Sequence, residues 1–192
     1  MSNNKQQLYI AKRGFTLLET LIAIFIFVLA VTAILSLVGD SVNNTSSLKD
    51  TITASYLADE AMDYIRNDRD TISFQHQYNG SQNGDWSTFN AKYSGCFTSD
   101  GCELDMFADY VQQCQNGLCT PIRFFTGAAQ KYYGFFGPAM NGDITTFERK
   151  IRFVYPANAS DKFVMIVTVS WKNKTGYTRQ KVYIGALYNW GA

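Results

Sequence analysis

The stretch "KRGFTLLETLIAIFIF" (residues 12–27) sets two positive charges, Lys12 and Arg13, directly before a long apolar run and places a carboxylate, Glu19, inside that run. The run covers 24 residues from Phe15 to Val38, interrupted only by Thr16, Glu19, Thr20, Thr32 and Ser36. Coiled as a helix it is about 36 Å long, enough to cross a bilayer core of about 30 Å. Lys12 and Arg13 then keep the N-terminus in the cytoplasm, and the bulk of the chain lies outside. A secretory signal peptide competes, with Val31-Thr32-Ala33 as its cleavage site, but its apolar part usually spans only about 7–15 residues. Neither that nor a plain anchor explains Glu19. An ionised group at a membrane centre costs on the order of 3 kcal/mol, less near the edge, so it marks a functional candidate.

Gly14-Phe15-Thr16-Leu17-Leu18-Glu19 resembles the processing site of type IV prepilins and pseudopilins. The resemblance implies that a membrane-embedded aspartyl protease, prepilin peptidase, cuts between Gly14 and Phe15 and methylates the new amine of Phe15. Residues 1–14 are then the leader. Glu19, the fifth mature residue, meets the amine of an incoming subunit in a filament. Pairing makes a buried charge tolerable and sets register; the competing role is a Glu19 that merely snorkels to the lipid interface. Gly14 offers the protease flexible, unhindered backbone. The partners implied are other pilin subunits, the peptidase, the inner-membrane assembly platform and membrane lipid. The location implied is a single-pass inner membrane protein, N-terminus cytoplasmic, and then an extracytoplasmic filament.

Beyond the anchor the chain divides by pattern. Residues 39–70 contain no Pro, and Gly39 is their one Gly, so the helix is expected to continue as an amphipathic outer half. Leu48, Ile52 and Tyr56 form one stripe; Leu57, Ala61, Tyr64 and Ile65 form another on a different side. One stripe suits the chain's own sheet and the other suits filament neighbours. Polar "SVNNTSS" (41–47) is a candidate local break. Residues 71–146 read as irregular, with "PIRFF" and "KYYGFF" as possible edge strands, and 147–192 as an antiparallel meander. In "FERKIRFVY" Ile151, Phe153 and Tyr155 share a face; "FVMIVTVSW" is the densest run and so the central strand; "QKVYIGALYNW" is the third. The fold expected is α+β, a long N-terminal helix on a C-terminal antiparallel sheet. "YLADEAMDYIRNDRD" and the strand patterns of 147–190 resemble minor pilins of the pilus-modification group, which implies a minor pilin.

Four cysteines, Cys96, Cys102, Cys114 and Cys119, fall in the irregular region on the oxidising side. Three pairings are possible. Cys96–Cys102 and Cys114–Cys119 are favoured, because each closes a short loop containing Gly. The C-x5-C and C-x4-C spacings suit zinc poorly and the single histidine, His76, is remote, so no metal is expected. The acids Asp68/Asp70 and Asp100/Glu103/Asp105 show no EF-hand pattern. No HExxH, GxSxG, P-loop or GxGxxG motif is present, so no enzyme and no cofactor are expected. Residues 1–14 hold three basic side chains and no acid, and the remainder, with 14 basic and 16 acidic, nets −2, which argues against nucleic acid as a partner. A pseudopilin of a secretion or competence system is the nearest alternative. An adhesive or ligand-binding module on a pilin anchor is the alternative of another class.

Overall fold

The structure is a computed structural model that describes residues 14, 16–79, 86–126, 131–135, 142–157, 162–173 and 176–189. The chain divides into two compact units, Met1–Ser46 and Ser47–Ala192. Helix α1 spans Leu17–Asn79. In the first unit, Leu17–Gly39 is a 23-residue segment of mean hydropathy 3.1 with none of it buried inside the protein. A helix that is apolar all round and uncovered needs a bilayer or other helices as its solvent. "SVNNTSS" is helical rather than broken. Thr45 Oγ1 donates to the Ser41 carbonyl at 2.8 Å, so a hydroxyl that competes for backbone bonds is satisfied within the helix.

In the second unit α1 continues past Asp70, where the sequence suggested an end. No Pro or Gly stands between Ser41 and Asn79 to stop it, and Phe74 stacks on Tyr78 one turn on, with centroids 5.4 Å apart. The two stripes separate as their angles require. Leu57, Ala61 and Ile65 are buried and Tyr64 packs at the margin, whereas Leu48, Ile52 and Tyr56 remain exposed. Burying Leu57 and Ile65 contributes about 1.5–3 kcal/mol each.

The stripe packs on an antiparallel sheet. Strands β5 (Asp143–Val154), β6 (Lys162–Lys172) and β7 (Thr178–Tyr188) form the meander, with β6 between the other two. Phe163, Met165, Val167, Val169 and Trp171 of β6 all turn to the helix side and are buried. Ile151 and Phe153 of β5 join them, but Tyr155 lies past the strand end and is half-exposed, stacked on Phe97. "PANASD" falls partly outside the described residues.

The region 71–146 is more ordered than its sequence suggested. It holds α2 (Trp86–Lys92), a 3-10 turn (Ser94–Phe97), and strands β1 (Cys102–Asp105), β2 (Tyr110–Gln113), β3 (Pro121–Thr126) and β4 (Lys131–Gly134). The described strands order as β2-β1-β5-β3-β4, with β6 and β7 continuing from the other side of β5. β4 is the expected edge strand, but β3 lies between β4 and β5. Phe89 of α2 and Tyr93 just past it are buried among Phe153 and Phe163, so both rings are core.

Candidate functional site

Two candidate sites follow from the sequence, one at the start of α1 and one around the cysteines. At the first, Thr16 stands just outside the helix and accepts a hydrogen bond on Oγ1 from the Glu19 backbone N–H at 3.3 Å. Its carbonyl accepts from the Thr20 N–H at 3.2 Å. Thr16 is therefore the N-cap and Glu19 the third helical residue, the Thr-x-x-Glu arrangement of a capping box. The pattern stands plainly at positions 16–19; a reading that stops at Glu19 as a lone carboxylate misses Thr16. A carboxylate in the first turn also faces the positive end of the helix dipole.

Gly14 precedes this cap and is exposed. A Cβ built on it would meet nothing within 4 Å. Neither crowding nor a left-handed backbone calls for glycine at this position, so the fold itself gives no reason for it. Phe15, Lys12 and Arg13 lie outside the described residues.

At the second, Cys96 is bonded to Cys102 and Cys114 to Cys119, the two short local loops. The second disulfide ties the base of a tight turn, Gln115–Leu118, whose Asn116 and Gly117 both have positive φ, 53° and 73°. Glu103 lies close to this disulfide. Its carboxylate is taken up by Thr120, accepting from the backbone N–H on Oε2 and from Oγ1 on Oε1. With both sulfurs bonded to each other, this cluster offers no thiolate to a metal. Two of the other paired acids are likewise engaged by the fold. Asp105 accepts from the N–H groups of Phe107, Ala108 and Phe135, and Asp68 accepts from Tyr93 and pairs with Lys92 at 3.0 Å. His76 lies in α1 and its side chain is outside the described residues.

Two polar clusters join the insert to α1. Lys92 bridges Asp68 and Asp109, and Tyr64 donates to Asp109. Burial pushes the Asp109 carboxyl up, but hydrogen bonds from Lys92 and Tyr64 outweigh it and hold it below the ordinary carboxylate value. Burial pushes Lys92 down, and its bonds to Asp109 and Asp68 more than reverse that. The other cluster centres on Arg149, 1% exposed on β5. Its guanidinium donates to the Leu57 carbonyl on α1 and to the Leu104 carbonyl on β1, each at 2.8 Å, and reaches Glu60 at 3.4 Å. Beside it, Tyr56, Phe107, Tyr132 and Tyr133 line an open groove of about 410 Å³ with Glu60 on its wall.

Residues 10–37 match the family model described as the prokaryotic N-terminal methylation motif. No curated protein and no solved structure matches the chain. The matched residues include Gly14, the Thr16 cap and Glu19, and they run on into the uncovered apolar helix. The N-terminal segment thus carries the signature of the type IV pilins and pseudopilins, structural subunits that prepilin peptidase processes and that assemble with other pilin subunits.

Proposed function

We propose that this chain is a structural subunit, a minor pilin, of a type IV pilus-like filament, cut between Gly14 and Phe15 and built into the filament through α1. The observation that carries the reading is a capped helix start with Glu19 in its first turn, at the head of a 23-residue segment of mean hydropathy 3.1 that is uncovered among the described residues. Residues 1–14 are the leader, with Lys12 and Arg13 on the cytoplasmic side. The peptidase frees and methylates the amine of Phe15. Held in the inner membrane by the apolar segment, the subunit is taken up by the assembly platform. Its amine then pairs with Glu19 of a neighbour, which offsets two charges otherwise buried alone.

Intact-mass measurement of the protein extracted from membranes of a producing cell tests this. Loss of residues 1–14 with one added methyl is expected, together with presence in sheared filaments. Retention of Met1, or a start at Ile34, would replace the pilin reading by an anchor or a signal peptide. A second role, binding a ligand beyond the filament, is favoured by the aromatic groove at Tyr56 and Phe107. Ligand capture by filaments that is lost in Phe107→Ala would establish it.

A further inference from the structure

We infer that the turn end of the β6–β7 hairpin docks on anionic phospholipid headgroups of the bilayer that holds the subunit. The contact keeps the second unit at the membrane until the subunit is taken up. The inference rests on the membrane-held stage of the proposed function and adds a surface and its partner. Cations are segregated in this part of the chain. Residues 162–192 hold five basic side chains and no acid. Three of them, Lys172, Arg179 and Lys181, are exposed and gather at one end of the hairpin, since Trp171 pairs with Arg179 and Val169 with Lys181.

That end of the hairpin lies where the chain enters the second unit. β7 runs in the same direction as α1, which three bonds in sequence establish. Arg179 donates to Ser47 Oγ at 3.1 Å, the hydroxyls of Ser55 and Tyr183 meet at 2.7 Å, and Arg69 donates to the Tyr188 carbonyl at 3.0 Å. Ser47 is the first residue of the unit, so the turn stands beside the entry point, and Lys49 adds an exposed cation there. Among the described residues none of these four cations makes an ion pair. Asp50 is the acid beside Lys49 on α1, and it leaves most of the positive charge unanswered.

Only residues 40–46 stand between the apolar segment, which ends at Gly39, and this unit. Through so short a connection the patch meets the bilayer surface at an effective concentration on the order of millimolar. The arrangement suits headgroups better than one rigid acidic surface. Lys172 alternates with buried Trp171 and so stands on the outer face of the sheet, whereas Arg179 and Lys181 stand on the helix side. Cations that surround a turn from both faces match a fluid layer of many small anions. Tyr177, 74% exposed at the turn, supplies an amphipathic ring of the kind that settles at headgroup level. Each basic side chain near an anionic surface strengthens binding about fivefold, and salt screens that gain. Entry into a filament lifts the unit off the surface, so the contact biases the subunit toward its membrane-held state.

The test uses the full-length chain in lipid vesicles. Thr178→Cys carries a fluorophore, and a nitroxide on the lipid headgroups quenches it on contact; the native cysteines are bonded and do not react. Quenching in vesicles containing phosphatidylglycerol is expected to exceed that in phosphatidylcholine alone, and high salt should return it to the lower level. Lys172→Gln and Lys181→Gln should each lower the ratio of docked to free unit about fivefold. Lys162→Gln, at the far end of the same strand pair, should leave it unchanged, and Lys172→Arg should keep the contact. Equal quenching in both lipids, or an equal loss with Lys162→Gln, overturns the inference. Lipid-independent quenching together with loss of the Lys172→Gln chain from sheared filaments also overturns it, and would assign the patch to an acidic protein neighbour. A chain cut at Gly14 and assembled, yet without lipid contact, leaves the pilin reading intact and sinks this one. Lipid contact by a chain that cells never cut keeps the surface and sinks the filament reading.

Discussion

Arg149 is the largest buried polar side chain at the helix–sheet junction, and its replacements separate two accounts of what it does. If the ion pair with Glu60 dominated, each charge would stabilise the other. The shifts run the other way. Burial lowers Arg149 below its ordinary value and raises Glu60 above its own, and their mutual attraction only partly offsets this. Both groups lean toward neutrality because taking the guanidinium out of water costs several kcal/mol, while the carboxylate answers from 3.4 Å and Nε has no partner at all. The two carbonyl bonds, at Leu57 and Leu104, return about 1.5–3 kcal/mol each at most.

Arg149→Met fills most of the same volume, loses those bonds and also loses the desolvation cost, so it should change stability by no more than about 1.5 kcal/mol. Arg149→Ala leaves a cavity and strips both carbonyls of their donor, so it should cost about 3–5 kcal/mol. Urea unfolding of the detergent-extracted chain, followed by the fluorescence of buried Trp171, reads this directly. At a slope of about 2 kcal/mol per molar, the alanine variant should shift the midpoint by about 2 M. Glu60→Gln should shift it little, and it should also remove a pH slope. Glu60 has a folded value above its unfolded 4.5, so its ionisation costs stability at neutral pH and acidification through the folded value recovers that cost. If Arg149→Met costs as much as Arg149→Ala, the hydrogen bonds outweigh desolvation and the desolvation account is wrong.

Glu19→Ala should leave membrane insertion and cleavage unchanged while the share of protein in sheared filaments falls at least tenfold, because a lost partner for a buried charge costs about 3–5 kcal/mol; wild-type incorporation would mean that Glu19 only snorkels. Gly101→Ala should destabilise by at least about 2 kcal/mol in the same urea assay, since Gly101 has φ +74° and an added Cβ would lie 2.8 Å from the Ile151 carbonyl oxygen; a neutral result would deny the constraint. Lys92→Met should cost about 1 kcal/mol at neutral pH. The cost should hold above the unfolded Asp109 value of 3.8 and shrink as pH falls through the lower folded one, and a cost that grows on acidification would contradict the bridge.

What could be read in advance was whatever the chain writes locally. Gly14, Phe15 and Glu19 form one short motif, and the two stripes of α1 differ by an angle that counting residues supplies. The alternation of β5 and β6 is long enough to fix faces, and the cysteine loops are short enough to favour their own closure. The remainder depends on contacts between distant segments. β1 and β2 are four residues each, too short for an alternation to stand out, and β1 finds its place only by pairing Cys102 with Ile151. Arg149 falls by alternation on the same face as Phe147 and Ile151, but what answers a charge there is not written in the strand: the partners are two carbonyls from α1 and β1. Asp109 gains its partners from α1 and α2, separated from it by 45 and 17 residues.

Thr16 connects the local motif to the proposed chemistry. By capping α1 it fixes the helix start at Leu17. The same cap sets Glu19 as the third helical residue, on the proposed reading one turn from the cut. Helix N-terminal N–H groups favour a carboxylate there by about 0.3–1 kcal/mol. On the proposed reading, cleavage then adds a positive amine just ahead of the cap of each subunit, close along the chain to its own Glu19. The contact with a neighbour's Glu19 is therefore an exchange of partners in which charge is conserved. Its net strength is less than that of a pair formed from isolated charges, and a subunit can leave the membrane and enter a filament without ever carrying an uncompensated carboxylate through lipid.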